Sequence, residues 1–66
     1  MHNSVRDERI KAGISQAELA EKAGVSRPFL SNIENGSASP TIKTATAIAT
    51  ALGKTLNDIF QSKESE

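Results

Sequence analysis

The side chains best suited to chemistry lie within one stretch, residues 15–36, "SQAELAEKAGVSRPFLSNIENG". Arg27, Pro28, Ser31, Asn32 and Asn35 are spaced to share one face of a helix with 3.6 residues per turn. Leu30 and Ile33 fall on the opposite face, with Phe29 on their flank. The outer face therefore carries short polar groups, one guanidinium and no acid. Its chemistry is hydrogen-bonded recognition. Such a face is compact enough to enter a groove about 12 Å wide, the width of the DNA major groove.

Catalysis fits poorly. The only histidine is His2, near a terminus, where a solvated residue is the ordinary reading, and there is no cysteine for a disulfide or a thiolate site. No Gly-rich phosphate loop is present. Asp7 and Glu8 are adjacent, so a helix points them to different faces. A chain of 66 residues leaves little room for a deep pocket or a separate effector domain. No enzyme activity, metal, cofactor or small-molecule effector is expected.

The elements that must position the outer face follow from caps and breakers. Five helical segments fit, and no strand does. The first spans residues 5–12, with Ser4 as its cap and Gly13 as its stop. Ser15-Gln16-Ala17-Glu18 has the form of a capping box and opens a second segment that runs to Ala23, where Gly24 ends it. Ser26 caps the third segment, with Pro28 in its first turn, and Asn35-Gly36 stops it. The fourth opens with Ser39 or Thr41 as cap and Pro40 near its first position, and reaches Leu52. The fifth is short, residues 56–61, capped by Thr55. The polar residues 62–66 read as a disordered tail. The domain is then 1–61.

Two helices joined by a short turn with glycine have the form of a helix-turn-helix, here residues 16–35. Ala20 is small where the pair crosses, and Gly24 permits a sharp turn that a Cβ would obstruct. The expected core is Val5, Ile14, Leu19, Ala20, Val25, Leu30, Ile33, Ile42, Ile48, Ala49, Leu52, Leu56 and Ile59. A domain this small buries only about 60% of its unfolded surface, so a partner subunit would help it.

Composition adds little. Charged residues make up 24% and apolar ones 36%, ordinary for a globular protein, and the net charge is zero. The charge is slightly segregated. Seven Lys/Arg stand against five Asp/Glu up to Lys54, and one against three beyond it. No apolar run approaches the roughly 18 residues of a membrane span, and no secretory leader is evident, so a cytoplasmic protein is expected.

The chain resembles the Cro/repressor-type helix-turn-helix family of phage repressors and bacterial regulators of the xenobiotic-response-element group. The resemblance rests on Arg9, "GISQAELAEKAGVS" at 13–26, "IENG" at 33–36, Pro40 and "IATALGKTLNDIF" at 48–60, and covers nearly the whole chain. It implies an all-α, compact five-helix bundle of the phage-repressor type. It also implies a homodimer on a pseudo-palindromic site in double-stranded DNA.

The resemblance assigns roles residue by residue. Gln16 opens the second helix, where the family holds a phosphate, and unpaired amides with the helix dipole favour an anion there. Arg27 and Pro28 match the leading base-contact positions. Arg27 can take guanine bidentately or a phosphate. Pro28 lacks the polar side chain usual in the family, which leaves it apolar contact with a thymine methyl. Ser31 and Asn32 match further base contacts. Ser26, Asn35, Ser37 and Lys43 match positions that touch the DNA backbone. Arg9 and Glu34 match an internal ion pair, and Leu56 and Phe60 fall at the expected subunit contact. Lys54 departs from the family's usual apolar residue. A protein-interaction module, an antitoxin or adaptor on the same fold, is the competing reading.

Overall fold

The computed structural model describes residues 3–60. The expected tail 62–66, His2 and the end of the fifth segment at Gln61 lie outside them. Five helices follow in order: α1 (Val5–Ala12), α2 (Gln16–Ala23), α3 (Arg27–Glu34), α4 (Ile42–Ala51) and α5 (Leu56–Ile59). Among the described residues the only extended pairing is one antiparallel bridge, Asn3 with Phe60. None of these helices is long and apolar enough to cross a membrane.

The caps set the boundaries. Ser15 and Glu18 form the expected capping box, the Glu18 N–H donating to Ser15 Oγ and the Ser15 N–H to Glu18 Oε1, both at 3.0 Å. Ser26, Thr41 and Thr55 each accept an N–H from the first turn of their helix. Two expectations change. Ser4 makes no side-chain cap; Asn3 takes that part, its Oδ1 accepting the Val5 N–H at 3.1 Å. Pro40 precedes α4, because Thr41 is the cap and the helix begins at Ile42.

The turn between α2 and α3 is a left-handed cap. Gly24 has φ +75°, and the Val25 N–H donates back to the Ala20 carbonyl at 3.0 Å. A Cβ at Gly24 would meet nothing within 4 Å. Glycine is needed there for its backbone conformation, not for the space the sequence reading invoked.

The core lies among all five helices. Val5, Leu19, Ala20, Leu30, Ile33, Ala45, Ile48, Ala49, Ile59 and Phe60 are buried. Each large aliphatic among them contributes about 1.5–3 kcal/mol relative to exposure. Ile14, Val25, Leu52 and Leu56 are half-buried against this cluster. Ile42, expected inside, is 74% exposed. It is the first residue of α4, and the helix's buried stripe starts one turn later at Ala45. Phe60, expected to meet a second subunit, is only 7% exposed and belongs to this chain's own core. The Ser4 N–H donates to the Ile59 carbonyl at 2.9 Å and closes the chain over Phe60. Lys54 turns toward α1, its Nζ 3.7 Å from Glu8 Oε1. Both groups keep access to water, so this pair adds little stability.

Candidate nucleic-acid interface

α3 begins one residue after its cap. The Ser26 Oγ accepts the Phe29 N–H at 3.2 Å, and Pro28 sits in the first turn, where a missing N–H breaks no bond. Leu30 and Ile33 are fully buried, which fixes the helix's rotation about its own axis. Arg27, Pro28, Asn32 and Asn35 are exposed, Ser31 half-buried, and Phe29 packs on the core edge. The outer face therefore assembles as the periodicity requires. The one acid of α3, Glu34, is turned inward.

Glu34 is the hub of a polar network beneath that face. Its side chain is only 4% exposed, and Arg9 lies against it with Nε–Oε2 at 2.7 Å and Nη2–Oε1 at 3.3 Å. Arg9 Nη1 also donates to the Ile14 carbonyl at 3.1 Å. The expected Arg9–Glu34 pair is thus a two-pronged bridge from α1 to the C-terminal end of α3. Gln16 Nε2 donates to Glu34 Oε1 at 3.2 Å, and Gln16 Oε1 accepts from Arg27 Nε at 3.5 Å. The carboxamide has one orientation that serves both neighbours, its N–H toward the carboxylate and its oxygen toward the guanidinium. Buried charge, carboxamide and exposed guanidinium form a continuous line, Arg9–Glu34–Gln16–Arg27.

Sequence reasoning paired Arg9 with Glu34 and singled out Gln16 and Arg27, and missed that Gln16 joins Arg27 to that pair. The available signal was positional. Gln16 and Arg27 each stand one residue after a serine cap, on the two helices of one tight turn.

At the other end of α3 the chain folds into a second polar turn. Asn35 Oδ1 accepts from the Ser37 N–H at 3.1 Å and from Ser37 Oγ at 2.7 Å. The Ser37 and Ala38 N–H groups both donate to the Asn32 carbonyl, at 2.9 and 3.2 Å. The Ser37 hydroxyl is directed into this turn, so the exposed group on offer is the Asn35 amide nitrogen. Lys43 is exposed in the first turn of α4. Neither Lys43 nor Arg27 forms an ion pair with a described residue, which leaves two cationic heads open to an anion. No grouping of acids or histidines among the described residues could hold a metal ion.

The arrangement has relatives. The residue pattern of the Helix-turn-helix family matches residues 5–59. An HTH-type transcriptional regulator of Methanothermobacter thermautotrophicus is 41% identical over 61 residues, covering 91% of this chain and 88% of that protein. Among solved structures, the restriction-modification controller protein C.AhdI from Aeromonas hydrophila superposes with a TM-score of 0.81 at 28% identity, covering 85% of each chain. The N-terminal DNA-binding domain of SinR from Bacillus subtilis gives 0.79 at 31%, covering 92% of this chain and 90% of that one. The chain belongs to the Cro/C1-type helix-turn-helix family of transcriptional regulators, a family of DNA-binding proteins and not of enzymes.

Proposed function

We propose that this chain is a sequence-specific reader of double-stranded DNA that acts as a homodimer on an inverted repeat. α3 lies in the major groove. Arg27 contacts guanine or a neighbouring phosphate, Pro28 a thymine methyl, and Ser31 and Asn32 further base edges. Gln16, at the start of α2, and Ser26, Asn35 and Lys43 grip the backbone on either side. The observation that carries the reading is the outer face of α3. It is exposed and acid-free, because its one carboxylate is turned in on Arg9 and Gln16. Two such helices reach successive major grooves when about 34 Å apart. Leu56, half-buried on α5, supplies apolar surface for the subunit contact in place of Phe60. The role places the protein in the cytoplasm, with the DNA.

Selection of duplexes from a random library at low salt tests this. Enrichment of an inverted repeat with half-site centres about 10 bp apart supports a dimeric reader. Recovery of no preferred sequence overturns it.

A further inference from the structure

The polar network anchors α3 at both ends, Arg27 through Gln16 and Glu34 through Arg9. A second tie on its C-terminal turn comes from a residue well outside the helix-turn-helix. Asn3 Nδ2 donates to the Ile33 carbonyl at 2.9 Å across 30 residues of sequence. The Ile33 carbonyl is among the last four of α3, which have no partner further along the helix. The Gly36 N–H also donates to it at 3.1 Å, from the turn that carries Asn35 and Ser37. Asn3 is itself held from two sides. Its Oδ1 accepts the Val5 N–H at 3.1 Å, and its backbone pairs with Phe60, a buried residue. One carboxamide thus connects the start of α1 to the last turn of α3, while the backbone of the same residue pairs with Phe60.

We infer that Asn3 is a positioning residue for DNA reading: it fixes the C-terminal turn of α3 and, through it, the Asn35–Ser37 turn that meets the backbone. The inference rests on the DNA-reading role proposed above. The geometry separates two duties within one side chain. The Oδ1 oxygen caps α1, and the Nδ2 nitrogen ties α3. Asn3→Asp keeps an oxygen for the Val5 N–H, improves the charge at the N-terminus of α1, and sets a carboxylate against the Ile33 carbonyl. Asn3→Ser keeps a capping oxygen but is too short to reach Ile33, and serves if the Asp variant does not fold.

The experiment has two readouts on the wild-type and variant proteins. Amide hydrogen exchange at Gly36 and Ser37 reports the turn without DNA. Binding titrations with a library-selected duplex and with a random one report the DNA contact. The expected result is exchange at Gly36 and Ser37 faster by about three- to tenfold, with the amides of α2 and α4 unchanged. Affinity for the selected duplex falls by a similar factor, and affinity for the random duplex falls with it, because the loosened turn meets the backbone. Unchanged exchange overturns the inference. Faster exchange with full affinity for both duplexes also overturns it, and leaves Asn3 a structural tie. A wild-type chain with no duplex preference overturns the DNA-reading role itself, and is recognised before any variant is compared.

Discussion

Gln16 reaches across the helix-turn-helix and donates to Glu34 at 3.2 Å, so the carboxylate that neutralises Arg9 also aims the carboxamide that meets Arg27. The buried bridge and the exposed reader are therefore not separate features. Rigid packing of Leu30 and Ile33 sets where α3 lies, and this line of polar contacts sets where its first side chain points.

That relationship makes Gln16 and Arg27 energetically dependent in DNA binding. Gln16→Ala leaves Glu34 its two bonds from Arg9 and lowers stability by only about 1 kcal/mol. Arg27 then loses its partner. In a double-mutant cycle on binding to the selected duplex, Gln16→Ala and Arg27→Ala should be non-additive by about 0.5–3 kcal/mol. Additive losses would mean that the two side chains meet the DNA independently.

Arg9 and Glu34 carry the larger stability effect. Arg9→Ala leaves a nearly buried carboxylate without its cation and frees the Ile14 carbonyl, which costs about 3–5 kcal/mol. Marginal domains have only about 5–15 kcal/mol in total, so urea denaturation should show a greatly reduced midpoint. The double variant Arg9→Met/Glu34→Leu removes both charges and should be the more stable of the two. If it is equally unstable, lost packing and not the stranded charge explains the single variant.

The short α5 gives an acid-dependent contribution. The Thr55 backbone N–H donates to Asp58 Oδ2 at 3.0 Å, and this bond, aided by the Thr55 hydroxyl and the Lys54 charge, holds the Asp58 carboxyl below its ordinary 3.8. The unfolded chain then binds a proton more readily than the native one. The stabilisation is present above pH 3.8 and is lost as pH falls through the lowered value. Urea midpoints measured across acid pH should fall less steeply in Asp58→Asn than in the wild type. Parallel profiles would show that the box adds nothing.

The sequence made most of this fold legible, because its helix boundaries are written in local chemistry. Ser15, Ser26, Thr41 and Thr55 cap by their own side chains, and Gly13 and Gly24 adopt the left-handed stop. What it hid depends on where helices end against one another. Ile42 has the right periodicity for the core but stands a turn beyond the buried stripe of α4. Phe60 reads as a residue near the chain end with surface to share, whereas it pairs with Asn3 and packs into the core. Asn3 itself was unreadable, because its partner Ile33 is 30 residues away and no spacing rule connects them. The outer face of α3 followed from the helical period alone, while the Gln16 relay needed the angle between two helices.

Arg27 and Lys43 should fail in different ways. Arg27 stands at the start of α3, held by Gln16, whereas Lys43 stands on the first turn of α4 with no ion-pair partner among the described residues. A guanidinium aimed at a base edge contributes discrimination. An ammonium beside the backbone contributes only charge. Arg27→Ala should cost about 1–3 kcal/mol on the selected duplex and relax the preference at one position of each half-site. Lys43→Ala should weaken selected and random duplexes alike, and reduce the slope of log affinity against log salt by about 1 per site contacted. Binding titrations at several salt concentrations, with both duplexes, separate the two outcomes. If Arg27→Ala also weakens both duplexes equally, Arg27 is a phosphate contact, and sequence reading falls to Pro28, Ser31 and Asn32.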